Sequence, residues 1–174
     1  MSETGRTILI TGCSSGYGLE TARHFHAQGW SVIATMRSPR ADLLPEDERM
    51  RVLPLDVTRA DSIAAVLAEA GRIDVLVNNA GLGGTASVLE MTDEQWLTVL
   101  DITLTGTFRC VRAAGQRFVA GGTKGVIVNN ASVIGWRAQE GQAHYAAAKA
   151  GVMALTRCSA LEAADFGIRI NAVS

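Results

Sequence analysis

Short apolar runs rich in β-branched residues alternate along this chain with longer, Ala-rich stretches of helical period. The runs at Thr7–Thr11, Ser31–Thr35, Arg51–Leu55, Ile73–Asn78, Gly125–Asn130 and Ile168–Val173 are mostly continuous in apolar character. Continuous runs of that length mark strands covered on both faces of a parallel sheet. Helices are expected over Gly18–Gln28, Asp61–Glu69, Thr92–Phe118 and Ala143–Ala164. Asp61 and Thr92 read as N-caps, and Thr92 with Gln95 matches a capping box. Gly29 and Gly167 fall where helices should stop. This alternation predicts an α/β chain with a doubly wound parallel sheet. No repeat, linker or low-complexity segment interrupts it, so residues 1–174 read as one domain. The last apolar run reaches Ser174 with no helix after it, and is expected as an uncovered edge strand.

Composition narrows the class. Hydrophobic residues make up 48% and charged residues 19% of the 174, enough for a packed core and outside the disordered range. With 16 basic and 17 acidic residues the net charge is −1, so no overall basic field recruits nucleic acid or an anionic membrane surface. Met1–Arg6 is polar and lacks the apolar core of a signal peptide. No apolar run approaches the roughly 18–20 residues of a membrane span. A soluble, cytoplasmic protein is expected. Cys13, Cys110 and Cys158 are odd in number and widely spaced, which reads as reduced thiols. His24 and His26 would face different sides of a helix and His144 stands alone, so no metal site is expected.

The first run leads into Thr11-Gly12-Cys13-Ser14-Ser15-Gly16-Tyr17-Gly18 and then a helix. Glycines permit close backbone approach, and the free N–H groups and positive dipole at a helix start attract an anion. Either an ordinary strand-to-helix turn or a pyrophosphate cradle fits; placement after the first strand of an alternating chain favours the cradle. Cys13 near that helix start is either an activated thiol or a packing residue, and packing is the expectation. In dinucleotide folds a carboxylate at the end of strand two takes the ribose 2′-hydroxyl. Here that strand ends Ala34-Thr35-Met36-Arg37, without a carboxylate. Arg37 is either a solvated loop arginine, as nearby Arg40 also reads, or the partner of a 2′-phosphate; the latter makes NADP(H) the preferred cofactor, with NAD(H) also open.

Tyr145 and Lys149 are four apart in a helical stretch and share a face. A tyrosine titrates near pH 10 when unperturbed, and a neighbouring ammonium brings that down into the range of acid/base work. Ala143, Ala146, Ala147, Ala148 and Ala150 make the helix slim enough to lie beside a cofactor. Ser132 follows strand five at the edge where ligands bind, and its hydroxyl either bonds a substrate oxygen as charge develops or is that of a loop or cap serine. Asn78-Asn79-Ala80-Gly81 closes strand four at the same edge, either lining the crevice or forming an Asx-type turn. Asp56 after strand three either meets an adenine amine or caps the next helix.

In their order and joint presence these residues resemble the short-chain dehydrogenase/reductase family. The matching motifs are T-G-x-x-x-G-x-G at Thr11–Gly18, L-D-V-T at Leu55–Thr58, N-N-A-G at Asn78–Gly81, Ser132, Y-x-x-x-K at Tyr145–Lys149, and Arg-Ile-Asn-Ala-Val-Ser at 169–174. The resemblance implies a three-layer αβα Rossmann-like fold and hydride transfer between nicotinamide and a secondary alcohol or ketone. It implies that Gly12, Ser14, Ser15, Gly16, Tyr17 and Gly18 cradle phosphates, with Arg37 beside them. Asp56 and Val57 would face adenine, and Asn79, Ala80 and Gly81 would run along the ribose. Tyr145 would be the general acid or base, Lys149 its partner at the nicotinamide ribose, and Ser132 the holder of the substrate oxygen. A small-molecule carbonyl or alcohol substrate and a homodimer or homotetramer follow from the same resemblance. The segments around Thr11–Gly16, Ala34–Arg37 and Asn79–Gly83 look most like the NADP-preferring branch that includes 17β-hydroxysteroid dehydrogenase type 1 and retinol-dehydrogenase-like enzymes.

Two departures stand out. Family members continue past the Asn-Ala-Val-Ser stretch into a last strand and a substrate-covering segment, which this sequence is expected to lack. A truncated or non-catalytic dinucleotide-binding or assembly protein is therefore the alternative reading. Thr103 also stands where the family usually has an Asn that helps hold a proton-relaying water. Slower proton exchange is expected from the change. Restoring the amide with Thr103→Asn should raise turnover in a steady-state assay; an unchanged or lower rate would remove Thr103 from the relay.

Overall fold

The computed structural model describes residues 5–174; Met1–Thr4 of the polar N-terminal stretch lie outside the described residues. Six strands form one sheet: β1 (Thr7–Ile10), β2 (Ser31–Met36), β3 (Met50–Pro54), β4 (Val75–Asn78), β5 (Val126–Asn130) and β6 (Arg169–Val173). All pairings are parallel, in the order β3-β2-β1-β4-β5-β6. The helices are α1 (Gly16–Ala27), α2 (Ala60–Ala70), α3 (Asp93–Leu100), α4 (Gly106–Ala120) and α5 (Ala143–Ala163). The sheet is thus the doubly wound, Rossmann-like α/β class expected from the alternation of apolar runs.

Side-chain alternation along the strands builds two cores. Leu9, Ile33, Leu76 and Ile127 face α2 and α4, where Ile63, Val66, Val111, Ala114 and Phe118 are buried. Ile8, Ile10, Val32 and Ala34 face α1 and bury Ala22. The α1 side is covered less completely toward β5 and β6: Val126 and Val128 are half-buried, and Arg169, Asn171 and Val173 are exposed. Among the described residues β6 pairs only with β5, at one edge of the sheet.

Two local expectations are corrected. Arg59, not Asp61, is the N-cap of α2. Asp61 lies in the first turn, where its carboxylate favours the helix dipole and pairs with Arg59 at 2.6 Å. The stretch Thr92–Phe118 is not one α-helix. It breaks at a π turn over Asp101–Thr105 between α3 and α4. Gly106 closes that turn because a Cβ there would stand 2.7 Å from Val57 Cγ2. The capping box does form: Gln95 N donates to Thr92 Oγ1 at 3.2 Å, and Thr92 N donates to Gln95 Oε1 at 2.9 Å. Gly29 and Gly167 adopt positive φ after α1 and α5, as their positions predict.

Phe118 is 1% exposed, and its ring occupies the space a Cβ on Gly125 would need. Phe118→Ala should lower the unfolding free energy in urea by about 3–5 kcal/mol. Val119→Ala, at an exposed neighbour, should stay within about 0.5 kcal/mol of the parent.

Candidate functional site

The crevice lies where neighbouring strands β1 and β4 send the chain to opposite faces, the switch point at which such sheets bind ligands. A polar clasp ties the two strand ends. Thr11 Oγ1 accepts from Asn79 N at 3.0 Å and from Ala80 N at 2.9 Å. Asn79 Nδ2 donates to Thr11 O at 3.1 Å and Gly12 O at 3.0 Å. Backbones approach so closely here that side chains are excluded. A Cβ on Gly12, at φ +72, would stand 2.8 Å from Ala80 Cα, and one on Gly18 would collide with the Gly12 carbonyl and the Asn79 amide.

Beyond the clasp the loop opens to solvent. Ser14, Ser15, Gly16 and Tyr17 are exposed, and Ser15 is the N-cap of α1 without using its hydroxyl as a cap. The start of α1 thus combines an open loop, a helix dipole and a free hydroxyl, the chemistry of an anion cradle. Cys13 is not an activated thiol. It is fully buried, its Sγ donates to Ile10 O at 3.3 Å, and burial pushes it up to about 12.

The crevice widens into a cleft of about 440 Å³ lined by Gly12, Ser14, Arg37, Asp56, Val57, Ala80 and Gly81 among others. Sequence-distant candidates therefore meet on one wall. Arg37 is exposed at the end of β2. Asp56 Oδ1 accepts from Thr58 N at 2.9 Å and Thr58 Oγ1 at 2.7 Å. Those bonds, with Arg37 and Arg59 at longer range, hold its carboxyl below the usual carboxylate value. Asp56 thus forms an Asx-type turn ahead of α2 and does not cap the helix, whose N-cap is Arg59; its Oδ2 takes no hydrogen bond from the described residues.

A second cleft, about 360 Å³, is lined by Tyr17, Asn79, Gly81, Asn130, Gln142, Tyr145 and Lys149. Lys149 is only 4% exposed. Its Nζ donates to Asn130 O at 2.5 Å and lies 5.6 Å from the centre of the Tyr145 ring. Burial pushes its ammonium down to about 8. Ser132 sits at the end of β5 and its Oγ accepts from Ile134 N at 3.2 Å, capping a short 3-10 turn; its proton remains free to donate.

Thr103 is fully buried in the π turn. Its Oγ1 donates to Leu82 O at 3.1 Å and accepts from Leu82 N at 3.0 Å. A Cβ on Gly81 would stand 3.7 Å from both Lys149 Nζ and Thr103 Oγ1, so Thr103 flanks the lysine across one glycine. Sequence reasoning missed Asn130, Gln142 and Asp101. Gln142 Nε2 holds Gly84 O at 2.7 Å, and Asp101 lines the wider cleft while pairing with Arg109 at 2.8 Å. The signal for Asn130 was a polar doublet, Asn129-Asn130, ending an otherwise apolar strand.

A parallel sheet in this order, with a glycine loop at the switch point and a cleft along the strand ends, defines a Rossmann-type nucleotide-binding protein. The short chain dehydrogenase family model matches residues 6–174, and the chain belongs to that family of oxidoreductases. It is 50% identical to a (5R,7aS)-5-hydroxy-7a-methyl-1-oxo-2,3,5,6,7,7a-hexahydro-1H-indene-carboxyl-CoA reductase of Mycobacterium tuberculosis, over 98% of this chain and 70% of that protein. It is 36% identical to the 3-oxoacyl-[acyl-carrier-protein] reductase FabG of Vibrio cholerae, over 100% of this chain and 74% of that one. Among solved structures, ElxO with NADP bound superposes with TM-score 0.91 at 29% identity, over 98% of this chain and 73% of that chain. 4-Hydroxyisoleucine dehydrogenase complexed with NADH superposes with TM-score 0.89 at 29% identity, over 98% of this chain and 74% of that chain. The hydroxysteroid and retinol dehydrogenase branch is not supported by these relatives. The three segments that suggested it all line the wider cleft at the strand ends. No helix among the described residues is long and apolar enough to cross a membrane.

The Lys149 shift has a pH signature. Its folded-state value, about 8, is below the ordinary 10.5, so between these values the unfolded chain binds the extra proton. Stability should therefore rise with pH through that window; below it both states are protonated, so the group adds no slope and its burial penalty is present in full. Lys149→Met should abolish the rise, measured as unfolding free energy at pH about 7.5 and about 10. Parallel pH dependences of parent and variant would show that the burial is not felt.

Proposed function

We propose that this chain is an NADP(H)-dependent oxidoreductase that interconverts a ketone and a secondary alcohol, with Tyr145 as general acid or base. The carrying observation is the buried Lys149 ammonium beside the Tyr145 ring in a cleft shared with Asn79 and Gly81. The cradle fits the group: Gly12 and Gly18 leave room where a Cβ would close it, and the start of α1 offers an anion site.

When bound, the nicotinamide ring supplies or accepts the hydride. The chain's own residues do the rest. Gly12, Ser14, Ser15, Gly16, Tyr17 and Gly18 surround the phosphates, and Arg37 pairs with a 2′-phosphate by charge-assisted bonds. Asp56 and Val57 meet the adenine, while Asn79, Ala80 and Gly81 pass along the ribose. Lys149 holds ribose hydroxyls and stabilises negative charge developing on the Tyr145 oxygen. Tyr145 gives its proton to the carbonyl oxygen in reduction and takes it back in oxidation. Ser132 donates to that same oxygen. One relative is named a carboxyl-CoA reductase of an oxo-indene and the other a 3-oxoacyl-[acyl-carrier-protein] reductase, so oxo compounds carried as acyl thioesters, 3-oxoacyl thioesters among them, are the first substrates to try. Exposed Leu97, Phe108 and Leu161 on α3, α4 and α5 suit pairing into a homodimer or homotetramer.

One observation favours a non-catalytic dinucleotide-binding protein instead. The Thr103 hydroxyl spends its proton on the Leu82 carbonyl, so it has none to give a relay water. Turnover separates the two readings, and 3-oxoacyl thioesters reduced with NADPH would decide for the enzyme.

Calorimetric titration tests the cofactor. NADPH should bind more tightly than NADH. Arg37→Ala should weaken NADPH about tenfold or more while leaving NADH within about twofold. Equal loss for both, or a parent preference for NADH, would overturn the role given to Arg37.

A further inference from the structure

Asn130 is the last residue of β5 and faces two parts of the site at once. Its backbone carbonyl accepts the Lys149 ammonium at 2.5 Å. Its side-chain Nδ2 donates to Asn79 Oδ1 at 3.0 Å. The next peptide N–H, of Ala131, is fixed by the Val173 carbonyl of β6 at 2.7 Å. The Asn130–Ala131 peptide plane is thus pinned at its N–H, and its carbonyl is aimed at the lysine.

The side-chain bond settles a second ambiguity. A primary amide can present either its oxygen or its nitrogen to a neighbour. Asn79 must turn its Nδ2 toward Thr11 O and Gly12 O, because two carbonyls there need a donor. With Nδ2 so directed, Oδ1 points away and needs a donor of its own. Asn130 Nδ2 supplies it. An apolar side chain at 130 would leave Oδ1 of Asn79 without this partner, and an acidic one would oppose oxygen to oxygen.

We propose that Asn130 is a positioning residue that locks the Asn79 amide in its productive orientation, and so holds the phosphate loop and Lys149 in one rigid frame. The chain of contacts runs without a gap from Lys149 through Asn130 and Asn79 to Gly12. Its role as a frame for a dinucleotide rests on the proposed function; its role in ordering the free protein does not. Movement at either end then has to break a hydrogen bond in the half-buried middle.

Hydrogen exchange of the free chain tests the frame without any cofactor. Asn130→Val suits a strand end and should keep the unfolding midpoint. It should nevertheless speed amide exchange at Asn79 and Ala80 about fivefold or more. Asn130→Asp is the second variant, and should do the same by forcing Asn79 to turn over. It should also raise the pH at which Lys149 titrates, followed by NMR of its side chain, because it adds a carboxylate to the same cleft wall. Unchanged exchange at 79 and 80 in both variants overturns the proposal.

NADPH binding then separates this proposal from the reading it rests on. If the parent binds NADPH, Asn130→Val should weaken it about tenfold. Adding Asn79→Ala to Asn130→Val should cost little more than Asn79→Ala alone, since both act through one unit. Independent, multiplying losses would overturn the coupling. A parent that binds neither NADPH nor NADH refutes the dinucleotide function alone, and the exchange result still decides for or against Asn130.

Discussion

Two parallel strands whose chains leave toward opposite faces must part at their ends, and here the Thr11 side chain holds those ends together. One hydroxyl oxygen takes two backbone N–H groups from the far strand, Asn79 and Ala80. The Asn79 amide returns two bonds to the near one. Four bonds across the switch point satisfy backbone groups that the ladder abandons where β1 and β4 separate, groups that would be costly to bury unpaired. Gly12 and Gly18 follow from that constraint. The backbones are drawn so close that a Cβ at either place would strike the clasp. The loop beyond is free to open because the clasp, not the loop, carries the geometry.

A second polar device lies deeper. Asn78 Nδ2 donates to Asn129 Oδ1 at 2.9 Å, Asn129 Nδ2 to Thr156 Oγ1 at 2.9 Å, and Thr156 Oγ1 to Val152 O at 2.7 Å. This buried relay crosses from β4 through β5 to α5, the helix that bears Tyr145 and Lys149. An apolar core holds layers together without fixing their sliding or rotation. Directional bonds at the strand ends set the depth and rotation of α5, so Tyr145 and Lys149 reach the strand-end cleft. The asparagine pairs at 78–79 and 129–130 therefore divide their work. Asn78 and Asn129 face inward and register the layers, while Asn79 and Asn130 face the cleft and organise it.

The strands, the helices and the doubly wound class were legible because each rests on local period and on turn chemistry. The Thr92 cap was legible for the same reason, since its partner Gln95 is three residues away. The Asp61 cap was not, because Asp61 is the favoured N-cap residue by type while Arg59 holds that place without any side-chain bond, set there by the preceding backbone that the Asp56–Thr58 bonds turn. Tyr145, Lys149, Arg37 and Asp56 could be named from spacing and strand ends. Asn130 could not, since its value depends on the orientation of an amide fifty-one residues earlier. The π turn at Asp101–Thr105 was likewise hidden. Its cause is the fit of Gly106 against Val57, a contact between segments far apart in the chain.

Thr103 shows how a smaller side chain can inherit part of a larger one's place. A hydroxyl is both donor and acceptor, so one oxygen can span the N–H and C=O of Leu82. That holds the loop after β4 against the helix as an amide would. The π turn helps, because its widened register brings residue 103 toward the loop while Thr107 Oγ1 takes the Thr103 carbonyl at 2.8 Å. Two functions that an asparagine can combine are separated as a result. Anchoring the loop remains, since it needs only one donor and one acceptor. Donating to a water does not remain with this side chain, since its one proton is already given to the Leu82 carbonyl and only an acceptor lone pair is left. The consequence falls on Lys149, whose supporting contact within the protein is the Asn130 carbonyl. The lysine's position is therefore set from the β5 side of the cleft, and the helix that carries Thr103 sets the loop instead.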